Sequence, residues 1–182
     1  MKKCALLYYG FHILASAFYM LTSTAVFEVL MDYFDGIPFL LAASVWVLSA
    51  PALYFLLGRL FGKTFLACKE YKKLLGSMSV LLFGIFLIVG LFALISDSNL
   101  GTSYFMLFNF PFYLVTTMFY KESAVLINIF SVIICAFPAL FVYLGTLLYQ
   151  RKHKDDPVFV EMPLIVVEPE KKTPAPDEHE DY

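Results

Sequence analysis

A histidine and three hydroxyls near the start of the chain stand in a pattern that could do chemistry. His12, Ser16, Tyr19 and Ser23 are spaced four, three and four residues apart. On a helix, at about 100° per residue, they fall in one narrow stripe. An imidazole among hydroxyls can hold a polar ligand or pass a proton, and histidine is the side chain whose charge changes most readily near neutral pH. A second set, Asn128, Ser131, Cys135, Pro138 and Gly145, also shares one helix face. No Asp, Glu, Lys or Arg lies in the apolar run around His12, whereas ion-coupled pumps depend on charged relays. The plainer reading of both stripes is hydrogen bonding between helices around small residues that let them approach.

Other chemistry finds little footing. His12, His153 and His179 are too scattered for a metal site. Glu28, Asp32 and Asp35 would align three carboxylates if one helix carried them all, but a solvated acidic loop explains them as well. Cys4, Cys68 and Cys135 form no C-x-x-C, and no structural disulfide is expected of them. A phosphate-binding glycine loop, an H-E-x-x-H zinc motif and a G-x-S-x-G elbow are all missing from the sequence. No catalytic residue, metal ligand or cofactor is therefore expected.

The elements that must position these residues follow from composition. Of 182 residues, 60% are hydrophobic, 18% aromatic and 15% charged. Soluble domains carry about 25% charged residues, and a disordered chain needs low hydrophobicity. The chain reads as an all-α integral membrane protein with a polytopic domain over 1–150 and a tail over 151–182. Four apolar runs, at about 5–27, 38–57, 78–95 and 124–149, reach or approach the roughly 20 residues that cross a bilayer. Helices satisfy their own backbones there, and the alternation of a barrel strand is absent. A four-helix transmembrane bundle of two hairpins is expected.

Net charge, formally −2, conceals strong segregation. Lys2 and Lys3, the five basic residues from Arg59 to Lys73, Arg151, Lys152 and Lys154, and Lys171 and Lys172 all fall on one side of the spans, whereas Lys121 falls on the other. Both termini are thus expected in the cytoplasm, with the plasma membrane as the location. Lys2-Lys3, an apolar stretch and Ala15-Ser16-Ala17 have the layout of a secretory signal, but apolar character through Phe27 makes the run long enough to span. Residues 104–120 are as apolar as a span yet interrupted by Asn109 and Pro111. A fifth span would put Arg151-Lys152-His153-Lys154 outside, so an interfacial or re-entrant segment on the outer face fits better.

An internal duplication is suggested by Pro51-Ala52-Leu53-Tyr54-Phe55-Leu56-Leu57-Gly58-Arg59-Leu60 and Pro138-Ala139-Leu140-Phe141-Val142-Tyr143-Leu144-Gly145-Thr146-Leu147, identical at six of ten positions. Both lie in spans running from outside to inside, which would make the hairpins a parallel repeat. Pro51 and Pro138 each lack an N–H and clash with the carbonyl four residues earlier, so both helices are expected to kink or loosen at one depth. Gly58-x-x-x-Gly62 matches a close-packing motif but sits at the membrane edge beside Arg59, where it carries little weight.

Outside the membrane, the loop from Arg59 to Lys73 has five basic residues against Glu70 and should lie on anionic lipid headgroups. From Asp155 the tail has nine acidic residues, two basic ones and five prolines, and reads as mostly disordered. Within it, Val158-Phe159-Val160 and Leu164-Ile165-Val166-Val167 are apolar islands that could add a strand to a partner. Besides the lipid bilayer, a protein partner or a second copy is expected, and no nucleic acid. These features lead to a non-enzymatic accessory or regulatory subunit of a membrane complex. The alternative is a small oligomeric transporter or channel using the proline-kinked second and fourth spans.

Overall fold

The structure is a computed structural model that describes residues 2–96, 108–112 and 124–153, without the side chains of 92–96 and 124–128. Every regular element among the described residues is a helix. Four stretches are long and apolar enough to cross a membrane: Lys2–Tyr33, Gly36–Leu60, Tyr71–Leu91 and Ile129–Lys152. The first two run past the apolar runs of the sequence at both ends, because a helix does not stop where the hydrocarbon does. Helix α1, Lys2–Tyr33, has 32 residues and measures about 48 Å at 1.5 Å per residue. It carries Glu28 and Asp32 in its last turns and ends before Asp35, so the three carboxylates do not share one helix. All three are exposed, and no group of three metal-ligating side chains occurs among the described residues.

Gly36, with φ at 56°, turns the chain directly into α2, Gly36–Leu60. That left-handed conformation is open to glycine without the Cβ penalty. A single turn, α3 (Gly62–Leu66), follows α2 and drives Phe65 into the core. Next comes α4, Tyr71–Ser96. Residues 108–112 are helical (α5), and α6 (Ala124–Ile134) and α7 (Phe137–Lys152) complete the chain. Outward faces carry Leu6, Ile13 and Leu21 on α1, Val45 on α2, and Val80 and Ile88 on α4. Exposed apolar side chains in such density suit contact with lipid.

The prolines do not act alike. Helix α2 continues through Pro51. Before Pro138 the helix breaks, at a turn over Cys135 and Ala136 that divides the fourth span into α6 and α7. There the Cys135 amide is shared between the Ser131 and Val132 carbonyls, at 3.3 Å each, and the Ala136 amide reaches back only three residues, to Ile133, at 3.0 Å. Of the two helices expected to kink or loosen, one is interrupted before its proline and the other is continuous through it.

Helices α2 and α7 make the closest and most extensive contact and run in the same direction. Helix α1 runs antiparallel to α2 and touches it less, through large side chains. The start of α1, the link from α2 to α4 and the end of α7 meet at one end: the Cys4 thiol donates to the Thr64 carbonyl at 3.1 Å, and the Tyr71 and Tyr143 rings stack 6.5 Å apart. Lys2, Arg59, Lys63, Lys69, Lys72, Arg151 and Lys152 therefore gather at the same end. The tail from residue 154, including Val158–Val160 and Leu164–Val167, lies outside the described residues, as do 97–107 and 113–123.

Candidate functional site

Ten residues after Lys2, roughly 15 Å along the helix and half the thickness of the hydrocarbon, α1 presents His12 to the interior. The ring is buried and both nitrogens are engaged: Nδ1 lies 2.6 Å from the Tyr54 hydroxyl of α2, and Nε2 lies 2.8 Å from the Phe108 carbonyl of α5. A carbonyl can only accept, so Nε2 carries the hydrogen and donates to Phe108. On the neutral ring Nδ1 then accepts from the Tyr54 O–H. One side chain thereby ties α1 to a residue 42 positions away and to another 96 positions away.

Helix α5 buries Asn109, Pro111 and Phe112 and leaves Phe108 exposed. Phe112 is fully buried, with its ring 5.0 Å from that of Tyr54, 5.8 Å from Phe137 and 6.2 Å from Phe141. Asn109 is fully buried beside it. The rest of the expected outer segment, 104–107 and 113–120, lies outside the described residues.

Farther along the same face of α1 the remaining stripe meets α2. The Tyr19 hydroxyl donates to Ser49 Oγ at 2.5 Å, Ser49 Oγ donates onward to the Trp46 carbonyl, and the Trp46 indole N–H donates to Ser23 Oγ at 3.2 Å. Ser16 is buried but forms no hydrogen bond through Oγ. In the fourth span, Ser131 and Cys135 are buried; the Cys135 thiol donates to the Ser131 carbonyl at 3.2 Å. Pro138 and Gly145 are buried too. Asn128 belongs to α6, and its side chain lies outside the described residues. Helix α1 faces α2 and α5, Cys135 shares the core cluster that holds Tyr8 and Tyr54, and Gly145 faces α2 at the basic end.

At that basic end α2 and α7 meet without a gap. A Cβ built on Gly58 would lie 2.1 Å from the Val142 carbonyl oxygen and 3.0 Å from the Thr146 nitrogen. A Cβ built on Gly145 would lie 2.0 Å from the Phe55 carbonyl oxygen and 2.8 Å from the Arg59 nitrogen. Phe55 and Val142 each stand four residues after a proline, and Gly58 and Gly145 seven after. The two contacts are thus one contact with the helices exchanged, as a two-fold axis running along parallel helices requires. Gly62 packs on the Tyr149 ring, and Thr146 Oγ1 donates to its own helix at the Val142 carbonyl, 2.9 Å away. The little weight given to Gly58-x-x-x-Gly62 is corrected, since both glycines sit where a side chain has no room.

No protein-family model, curated protein or solved structure matches this chain.

What the arrangement offers is hydrogen bonding without charge. The cysteines are free, and the described ion pair is the exposed Lys73–Glu70 bridge at 3.0 Å, of the kind that contributes little. Tyr8, Tyr54, Phe108 and Asn109 join the site although the stripe did not announce them. Tyr8 had a signal, since it lies one turn before His12 on the same face. Asn109 also had one, as the carboxamide interrupting an aromatic run. Tyr54 and the Phe108 carbonyl had none, because aromatic residues and backbone groups occur throughout the chain.

Proposed function

We propose that this protein is a non-enzymatic four-helix transmembrane bundle that serves as an accessory or regulatory subunit of a membrane complex. The reciprocal Gly58–Gly145 contact carries the reading. A transporter using the second and fourth spans needs a passage between them, and here those helices meet backbone to backbone with no space for a methyl group. Buried polar groups join helices to one another, which suits a scaffold. The same reciprocal contact supports a parallel repeat of two hairpins.

The remaining parts fit a docked subunit. The gathering of basic residues at one end argues for that end, and both termini, in the cytoplasm of the plasma membrane. The loop from Arg59 to Lys73 would rest on anionic headgroups, at about 1 kcal/mol per basic residue near the surface. An interfacial or re-entrant course for the segment that holds α5 is supported by the burial of Asn109 and Phe112 and by the bond from His12 to Phe108. The acidic tail, through Val158–Val160 and Leu164–Val167, binds a protein partner.

Affinity purification of the tagged chain from its native membrane under gentle solubilisation tests the reading. A specific partner in fixed ratio, lost on deletion of Asp155–Tyr182, is expected. Recovery of copies of the same chain alone, together with solute flux in reconstituted vesicles that falls in His12→Ala or Asn128→Ala, would replace it with the transporter reading.

A further inference from the structure

The described buried side-chain atoms that lack a hydrogen-bond partner are Tyr8 OH, Ser16 Oγ, and Nδ2 and Oδ1 of Asn109. They are not scattered. Tyr8 and Ser16 stand four residues before and four after His12 on one face of α1, each about 6 Å from it along the axis. Asn109 follows directly on Phe108, whose carbonyl His12 holds. Tyr8 shares a core cluster with Tyr54 and Phe112. All three side chains are more than nine-tenths buried.

Comparable groups elsewhere in the molecule find partners nearby. Thr22, Ser44 and Thr146 turn their hydroxyls back to the carbonyl four residues earlier. The Tyr9 hydroxyl donates to Ser77, and that of Tyr19 donates to Ser49. Ser16 leaves the same back-bond unused. A polar group buried without a partner costs about 1–3 kcal/mol, so four of them around one histidine make a site whose hydrogen bonds lead to something besides protein.

We propose that α1, α2 and α5 enclose a binding site for small uncharged hydrogen-bonding molecules, of which water is the smallest, anchored by the Asn109 carboxamide and flanked by the Tyr8 and Ser16 hydroxyls. The chemistry of the site sets the class. Asn109 both donates and accepts, Tyr8 and Ser16 do the same, and no carboxylate, ammonium or guanidinium is among the buried described residues. An ion would enter without a counter-charge, whereas neutral donor–acceptors can partner each group in turn. The ligand bridges α1 to α5 beside the bond from His12 and so helps to seat the segment that carries Asn109. The site stands independently of whether the protein has partners.

Hydroxyl-radical footprinting of the full chain in lipid nanodiscs, with water as the probe, tests the site, because radicals formed from bound water oxidise the side chains beside it. Tyr19 is the control, likewise with almost no exposed surface on the same helix but hydrogen-bonded through its hydroxyl. Tyr8 is expected to be oxidised severalfold faster than Tyr19, and Asn109→Leu is expected to remove the excess. The thermal midpoint, followed by Trp46 fluorescence, is expected to fall in Asn109→Leu and not to rise in Tyr8→Phe. Equal oxidation of Tyr8 and Tyr19 overturns the proposal. A higher midpoint in either variant also overturns it, since replacing a dry, unpartnered group relieves the molecule. Should Asn109→Leu fail to fold, the wild-type oxidation ratio and Tyr8→Phe decide.

Discussion

The contact between α2 and α7 and the contact between α1 and α2 join helices by opposite means. In the first, glycines bring backbones together: Gly58 lies on the Val142 carbonyl and Gly145 on the Phe55 carbonyl, and the one described polar side chain across the seam is Thr146, whose Oγ1 lies 3.4 Å from the Gly58 carbonyl. In the second, large side chains hold the helices apart and bridge the gap, through His12 to Tyr54, Tyr19 to Ser49, and Trp46 to Ser23. Lipid tails are as apolar as leucine, so burying apolar surface between helices gains little in a membrane, and packing or hydrogen bonding must supply the attraction. This protein uses one at its basic end and the other towards the middle. The close seam leaves no space, while the bridged seam leaves unpartnered polar atoms.

Substitutions can break that contrast. The largest loss is expected from Gly58→Leu or Gly145→Leu. Overpacking costs about 1–3 kcal/mol where side chains can yield, and here the neighbours are backbone atoms, so α2 and α7 must part. Neither variant is expected to fold to a monodisperse protein, and size-exclusion chromatography with denaturant titration measures this. Loss in one variant and tolerance in the other would end the equivalence of the two glycines.

His12→Leu comes next. It leaves the buried Tyr54 hydroxyl unpartnered, at about 1–3 kcal/mol, and removes the tie to the Phe108 carbonyl. Hydrogen exchange should quicken at the amides of 108–112 before it does at Gly58. Tyr19→Phe removes one bond whose acceptor keeps its own tie to Trp46, so a loss of about 1 kcal/mol is expected in the same titration. The smallest effect belongs to Gly84→Ala, where a Cβ meets nothing within 4 Å. It should stay within about 1 kcal/mol of the parent, on the stabilising side. A large loss there would mean that glycine content, rather than close approach, matters in these helices.

The repeated prolines sharpen the contrast within one pair of helices. Equal spacing to a glycine puts Pro51 and Pro138 in matching places, and the glycines do form matching contacts. Yet α2 continues through Pro51 while the fourth span breaks at Cys135–Ala136. A proline weakens a helix by a removed donor and a clash, and the neighbours decide whether it bends or breaks. Val47 and Ala50 are buried in a cluster with Tyr19 on α1. At the other break, the thiol of Cys135 donates to the Ser131 carbonyl and the Cys135 amide is shared.

Much of the fold was legible along the chain. Four apolar runs of spanning length give four stretches able to cross a membrane, since length and hydrophobicity are properties of consecutive residues. The α1 stripe was equally legible, because a helix turns spacing into a face, and His12, Ser16, Tyr19 and Ser23 are all buried. Helix ends were less so: α1 continues to Tyr33 and α4 begins at Tyr71, as polar turns extend a helix without an apolar signal. The site was half legible. Its histidine stood out, whereas its partners are a common aromatic residue and a backbone oxygen.

By itself, then, the sequence determined the class, the spans, the basic end and the faces that must be buried, because periodicity and composition act within a few turns. Only the tertiary structure decided that His12 takes Tyr54 and Phe108, that Gly58 and Gly145 exchange places across one seam, and that one proline breaks its helix while its counterpart does not. Those outcomes depend on which faces meet across 42 to 96 residues of chain, and the residues at either end carry no mark of their partner.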